Sequence, residues 1–102
     1  MDKINILETA NNIVNLRSEE SSRNYGSFSE GMRRAAQILS GMRGKEFTED
    51  DMFAAMVALK LSRESYTHKT DNLLDCVAYL GAWNNAIDER TPDANPIEEK
   101  NK

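Results

Sequence analysis

Four side chains near the middle of the chain have the types and spacing to do chemistry: Lys60, Arg63, Asp71 and Asp75, within LKLSRESYTHKTDNLLDCVAYL, Leu59 to Leu80. Two cations facing a ligand hold phosphate or pyrophosphate oxygens. Carboxylates beside them orient the cations, accept a hydrogen bond from a ribose or base, or ligate Mg²⁺. The same four groups can also staple two helices together, at about 0 to 1 kcal/mol per exposed pair. Spacing alone leaves both readings open.

The elements that must position them are two helices joined by THKT. With one helix ending near Tyr66 and the next starting near Thr70, the pair forms an antiparallel hairpin whose equidistant positions meet. At about 1.5 Å rise per residue, Lys60 lies roughly 9 Å from the end of the first helix and Asp75 roughly 7.5 Å from the start of the second. Asp71 and Asp75 are four residues apart and share a face; Lys60 and Arg63 are one turn apart. His68, the single histidine, sits in the turn, either simply exposed or as a donor at the rim of the cluster. Asn72 lies beside Asp71 and can read a ribose or base.

Upstream, apolar residues Ile4, Leu7, Ala10, Ile13 and Val14 predict a helix over about Lys3–Arg17, with Asn5, Asn11, Asn12 and Asn15 on its other side. Ser18 to Ser27 reads as a polar connection of about ten residues, longer than bundle links usually are. Either Glu19 and Glu20 extend the helix, or the loop has a role. Tyr25 followed by Gly26 suits a ring laid against a flat ligand, or a loop anchored to the bundle. The stripe Phe28, Met32, Ala35, Leu39, Met42 predicts a second helix, capped by Ser27 or Ser29 and closed by Gly41 or Gly44.

Thr48 is the expected N-cap of the third helix, whose apolar face runs over Met52, Phe53, Met56, Val57, Leu59 and Leu61. Glu49, Asp50 and Asp51 complement its dipole. Successive helical residues diverge by about 100°, so this trio does not converge on a metal. Thr67 or Thr70 caps the fourth helix, which runs to about Glu89 with Leu73, Cys76, Val77, Leu80, Trp83 or Asn84, and Ile87 inward. The expectation is an all-α, four-helix bundle-like domain over residues 1–90, followed by a flexible tail over 91–102 that holds both prolines.

Composition bounds the function. A chain of 102 residues supports one modest core, so a large pocket is expected between helices or between subunits, and homo-oligomerisation with it. A net charge of −4 without a long basic tract disfavours extended nucleic-acid binding. Arg33, Arg34, Arg43 and Lys45 form at most a local patch for one or two phosphates, or an exposed solubilising face. The lone Cys76 forms no internal disulfide and reads as core. No apolar run approaches the roughly 18 residues of a membrane span. These features predict a cytoplasmic protein. No Ser, Cys or Thr has a base and orienting partner at informative spacing, so no catalytic residue is assigned.

The segments RNYGSFSEGMRRAAQIL, FTEDDMFAAMVALKLSR and TDNLLDCVAYLGAW, Arg23 to Trp83, resemble a small all-α family of tailed bacteriophages and prophages whose function is unknown. Its pattern matches here at Tyr25 and Gly26, Thr48 and Asp51, Lys60 and Arg63, and Asp71, Asp75 and Tyr79; Ala78 stands where that family has glycine. More distantly, NLLDCVAYL is similar to the second acidic motif of MazG-like all-α nucleotide pyrophosphohydrolases, which hold Mg²⁺ on glutamates and an E-x-x-D pair. Asp75 matches the aspartate, but Asn72 replaces the glutamate and no E-E-x-x-E lies upstream.

These resemblances imply a nucleotide-shaped pocket without the usual means of activating water. The expected function is binding of a nucleotide or cyclic nucleotide signal, a host immune messenger for example, in the host cytoplasm. Lys60 and Arg63, with Arg23, would take phosphate, Tyr25 would stack, and Asp71, Asn72 and Asp75 would read ribose or base. No cofactor is expected, although Mg²⁺ enters if Asp75 is a ligand. The alternatives are inhibition of a host protein in an anti-defence role, which a small acidic protein can achieve by masking a basic channel, and a degenerate Mg²⁺-dependent hydrolase.

Overall fold

Asparagine competes with helical backbone in a helix interior but excels as a cap, and Asn5 is used that way. Its Oδ1 accepts from the N–H groups of Leu7 and Glu8, both at 3.1 Å, and starts helix α1, Ile6–Asn15. The computed structural model describes residues 4–16 and 28–91. Within them lie three further helices: α2, Phe28–Arg43; α3, Glu49–Tyr66; and α4, Thr70–Arg90. There is no strand among the described residues, so the fold is all-α and bundle-like. No helix among them is long and apolar enough to cross a membrane.

Local chemistry sets the boundaries of the middle helices. At the α2–α3 turn, Gly44 takes φ +69°, the left-handed conformation that glycine adopts without penalty; Gly41, the other expected terminator, is still helical. Ser40 Oγ donates to the Ala36 carbonyl at 2.7 Å and accepts from the Phe47 N–H at 2.8 Å, tying the turn back to α2. Thr48 caps α3 as expected, in a reciprocal box: its Oγ1 accepts from Asp51 N–H at 3.1 Å and its own N–H donates to Asp51 Oδ2 at 2.8 Å. The expected caps of α4 are corrected. Thr67 is instead the C-cap of α3, Thr70 is the first helical residue, and Lys69 holds the N-cap position without a side-chain cap bond.

Helix α4 is the central element, packing on α1, α2 and α3, while α2 also packs on α3. Its buried line is Leu74, Ala78, Ala82 and Ala86, with Cys76 beside it. Residues four apart advance by about 40° around a helix of 3.6 residues per turn, so the line winds from one neighbour to the next. Leu74 and Ala78 meet Ala10, with Ile6, Val14 and Val77 packed around them. Ala82 and Ala86 meet Phe53, which has no exposed surface, with Phe28, Met32, Tyr79 and Trp83 packed around it. Trp83 stacks on Phe53 with ring centres 6.1 Å apart and planes 4° from parallel. Phe28 meets Tyr79 edge-on at 5.8 Å.

This corrects the expected core. Leu80 and Ile87 of α4 and Met42 of α2 are exposed, as are Leu59 and Leu61 of α3. Small alanines take the buried positions because they let helix backbones come close, leaving the larger apolar chains at the margins.

Candidate functional site

The helical hairpin exists as the spacing predicts. Lys60 on α3 and Asp75 on α4 stand level and pair, Nζ to Oδ2 at 3.0 Å; 14% of the lysine side chain and 39% of the aspartate side chain is exposed. That pair is not the whole arrangement. Both residues also line an open cleft of about 830 Å³ between the upper ends of the two helices, together with Arg63, Asp71 and Asn72. Five of the seven residues expected at the site therefore meet at one cleft. The other two, Arg23 and Tyr25, lie outside the described residues, as do Ser27, Glu19, Glu20, Gly26 and the tail beyond Thr91.

The cleft contains groups that the pattern of apolar and charged residues did not single out: Ser62, Tyr66, Thr67 and Lys69. Tyr66 follows Arg63 by three residues, one helical turn, which was the available signal; Lys69 was hidden in a segment read only as a turn. With Lys60, Arg63 and Lys69 against Asp71 and Asp75, the lining carries a net charge of +1 (three cations less two carboxylates). The whole chain carries −4. Neither Arg63, Lys69 nor Asp71 makes an ion pair among the described residues.

Glu64 fastens the hinge below this cleft. Its Oε1 accepts from Lys69 N–H at 3.1 Å and from Asn72 Nδ2 at 3.4 Å, while Oε2 bonds to His68 Nδ1. The His68 bond, then those of Lys69 and Asn72, hold the Glu64 carboxyl below the ordinary glutamate value. Asn72 Nδ2 also donates to the Thr67 carbonyl at 3.4 Å. The amide donor of Asn72 thus serves the turn, and its carbonyl oxygen is the part left for a ligand. His68 is a latch partner in the turn, with 64% of its side chain exposed.

The acidic start of α3 does more than answer the helix dipole. Asp51 closes the capping box. Glu49 is buried and pairs with Arg90 at 3.3 Å and Arg33 at 3.5 Å. Its Oε2 has the Arg33 guanidinium beside it but no hydrogen bond. Asp50 Oδ1 accepts from Trp83 Nε1 at 2.8 Å and Arg90 at 2.9 Å, and these bonds, Trp83 foremost, hold its carboxyl below the ordinary range. Arg33 thus faces Glu49 while 57% of its side chain stays exposed, and Lys45 lies over the Phe47 ring, 5.5 Å from its centre. The network joins α2, α3 and α4 and does not reach the cleft lining.

Of the two carboxylates in the cleft, Asp75 already faces an ammonium at 3.0 Å. No group of three or more His, Cys, Asp or Glu side chains is arranged to hold a metal among the described residues. A resident Mg²⁺, which wants several oxygen ligands and no adjacent cation, does not fit this donor set. No curated protein and no solved structure matches the chain. A family model described as Domain of unknown function (DUF6378) matches residues 5–87, from the cap of α1 to Ile87 of α4. The chain is a member of that family.

Proposed function

We propose that this protein binds a nucleotide or nucleotide-derived signal in the α3–α4 cleft. The observation that carries the reading is an open cleft of about 830 Å³, lined by three cations and two carboxylates, within the size range of small-molecule sites. Arg63 and Lys69 take phosphate. Lys60, held by Asp75, adds positive charge at the floor, and Asp71 with the Asn72 carbonyl reads ribose or base. Affinity without hydrolysis suits sequestration, and the resemblance to phage and prophage proteins gives that a use in the host cytoplasm, withholding a nucleotide messenger from a defence system.

Thermal melting with nucleotides and cyclic dinucleotides tests this. A ligand at a hundred times its Kd adds about 2.7 kcal/mol and raises Tm by about 10–20 °C in a domain of this size. No shift with any of them at high micromolar concentration contradicts the proposal.

A second reading, inhibition of a host protein, draws on the α2–α3 face. There a hollow of about 520 Å³ is lined by Leu39, Phe47, Met52 and Ala55 together with Lys45, Glu46 and Asp51. Separately, Ile38 and Met42 on α2 are 59% and 74% exposed, and these apolar side chains suit self-association. Light scattering is expected to show a homo-oligomer that Met42→Glu dissociates. If instead the chain is a monomer and captures a host protein stoichiometrically, with Lys60→Ala and Arg63→Ala having no effect, the inhibitor reading replaces the nucleotide one.

A further inference from the structure

We infer that Tyr66 is the stacking platform for the base, which makes the cleft selective for phosphates that carry an aromatic ring. This rests on the nucleotide reading above. Tyr66 is the last residue of α3 and lines the cleft with Arg63 and Lys69. The next residue, Thr67, donates its N–H to the Arg63 carbonyl at 3.2 Å, closing the last turn of the helix around it. At 92%, Tyr66 is the most exposed large hydrophobic residue among those described, and its side chain makes no hydrogen bond or ring contact among them.

A tyrosine packed for stability buries its ring and finds a partner for its hydroxyl. Tyr66 does neither, so its ring faces are available at the lip of a cationic cleft. Arg63, one turn before it on the same side of the helix, puts a guanidinium where the phosphate of a stacked nucleotide would lie. A ring beside a positively charged groove is the combination that retains nucleotides by stacking and charge together.

The test is calorimetric titration of AMP and of ribose 5-phosphate, which lacks the base, into the wild type, Tyr66→Ala and Tyr66→Phe. An exposed side chain can be truncated without unfolding the chain. The expected result is that Tyr66→Ala weakens AMP binding by about 5- to 150-fold, leaves ribose 5-phosphate unchanged, and is rescued by Tyr66→Phe. If both ligands weaken together, or neither does, Tyr66 is not the platform, although the nucleotide reading stands. If the wild type binds neither at high micromolar concentration, the assignment of Tyr66 falls, and the nucleotide reading falls with it only when the other nucleotides and the cyclic dinucleotides fail to bind as well.

Discussion

Lys60 and Asp75 do two jobs at once, and separating them is a matter of burial. A mostly buried lysine side chain needs a counter-charge for its ammonium; its carboxylate partner, more exposed, still edges the cleft. Asp75→Asn leaves that ammonium with a neutral partner and is expected to cost about 1–3 kcal/mol of stability, measured by urea unfolding. Arg63→Ala breaks no ion pair among the described residues and is expected to leave stability within about 0.5 kcal/mol of the wild type. A large loss on Arg63→Ala would make it a structural residue.

Glu64 adds a pH dependence with a definite sign. Its native carboxyl is held below the ordinary value of 4.5 by His68, Lys69 and Asn72. The latch is therefore fully stabilising above pH 4.5 and is lost as pH falls through the depressed native value. Melting curves of Glu64→Gln are expected to fall less steeply than the wild type over that acid range; parallel curves would show that the latch contributes nothing.

At the scale of elements, the start of α3 was legible because Thr48 and Asp51 form a cap from contiguous residues, a signal that needs no tertiary context. The level meeting of Lys60 and Asp75 was legible for a similar reason: a short turn fixes which positions of two helices face one another. The buried line of α4 was not. Periodicity weighs the large apolar residues, Leu80 and Ile87 among them, whereas close helix approach selects Ala78, Ala82 and Ala86. The role of Glu49 was equally hidden, since its partners Arg33 and Arg90 are distant in sequence. Two predictions follow the packing. Phe53→Ala, at a site with no exposed surface, is expected to cost about 3–5 kcal/mol. Arg90→Ala strips a hydrogen-bonding partner from Asp50 and a counter-charge from buried Glu49, for about 1–3 kcal/mol. A destabilisation below 0.5 kcal/mol in denaturant unfolding, the ordinary surface value, would show that the network is incidental.

At the scale of the whole molecule, charge is divided by place. Carboxylates at the start of α3 are engaged by a cap, a tryptophan and two arginines, while the opposite end of the same helix keeps Arg63 without an ion pair among the described residues, beside a cleft that is positive on balance. The proposed binding at the α3–α4 end lies away from the Glu49 network, so Arg90→Ala is expected to alter stability and not ligand affinity. The central claim, that this cleft holds the phosphate of a nucleotide, is met most directly by isothermal titration of nucleotides and cyclic dinucleotides into the wild type and Arg63→Ala. The account predicts saturable binding by the wild type that weakens by roughly tenfold or more in the variant, the value of a charged hydrogen bond of about 1.5–3 kcal/mol. Equal affinity in the two proteins, or no heat of binding from any ligand at high micromolar concentration, would contradict it.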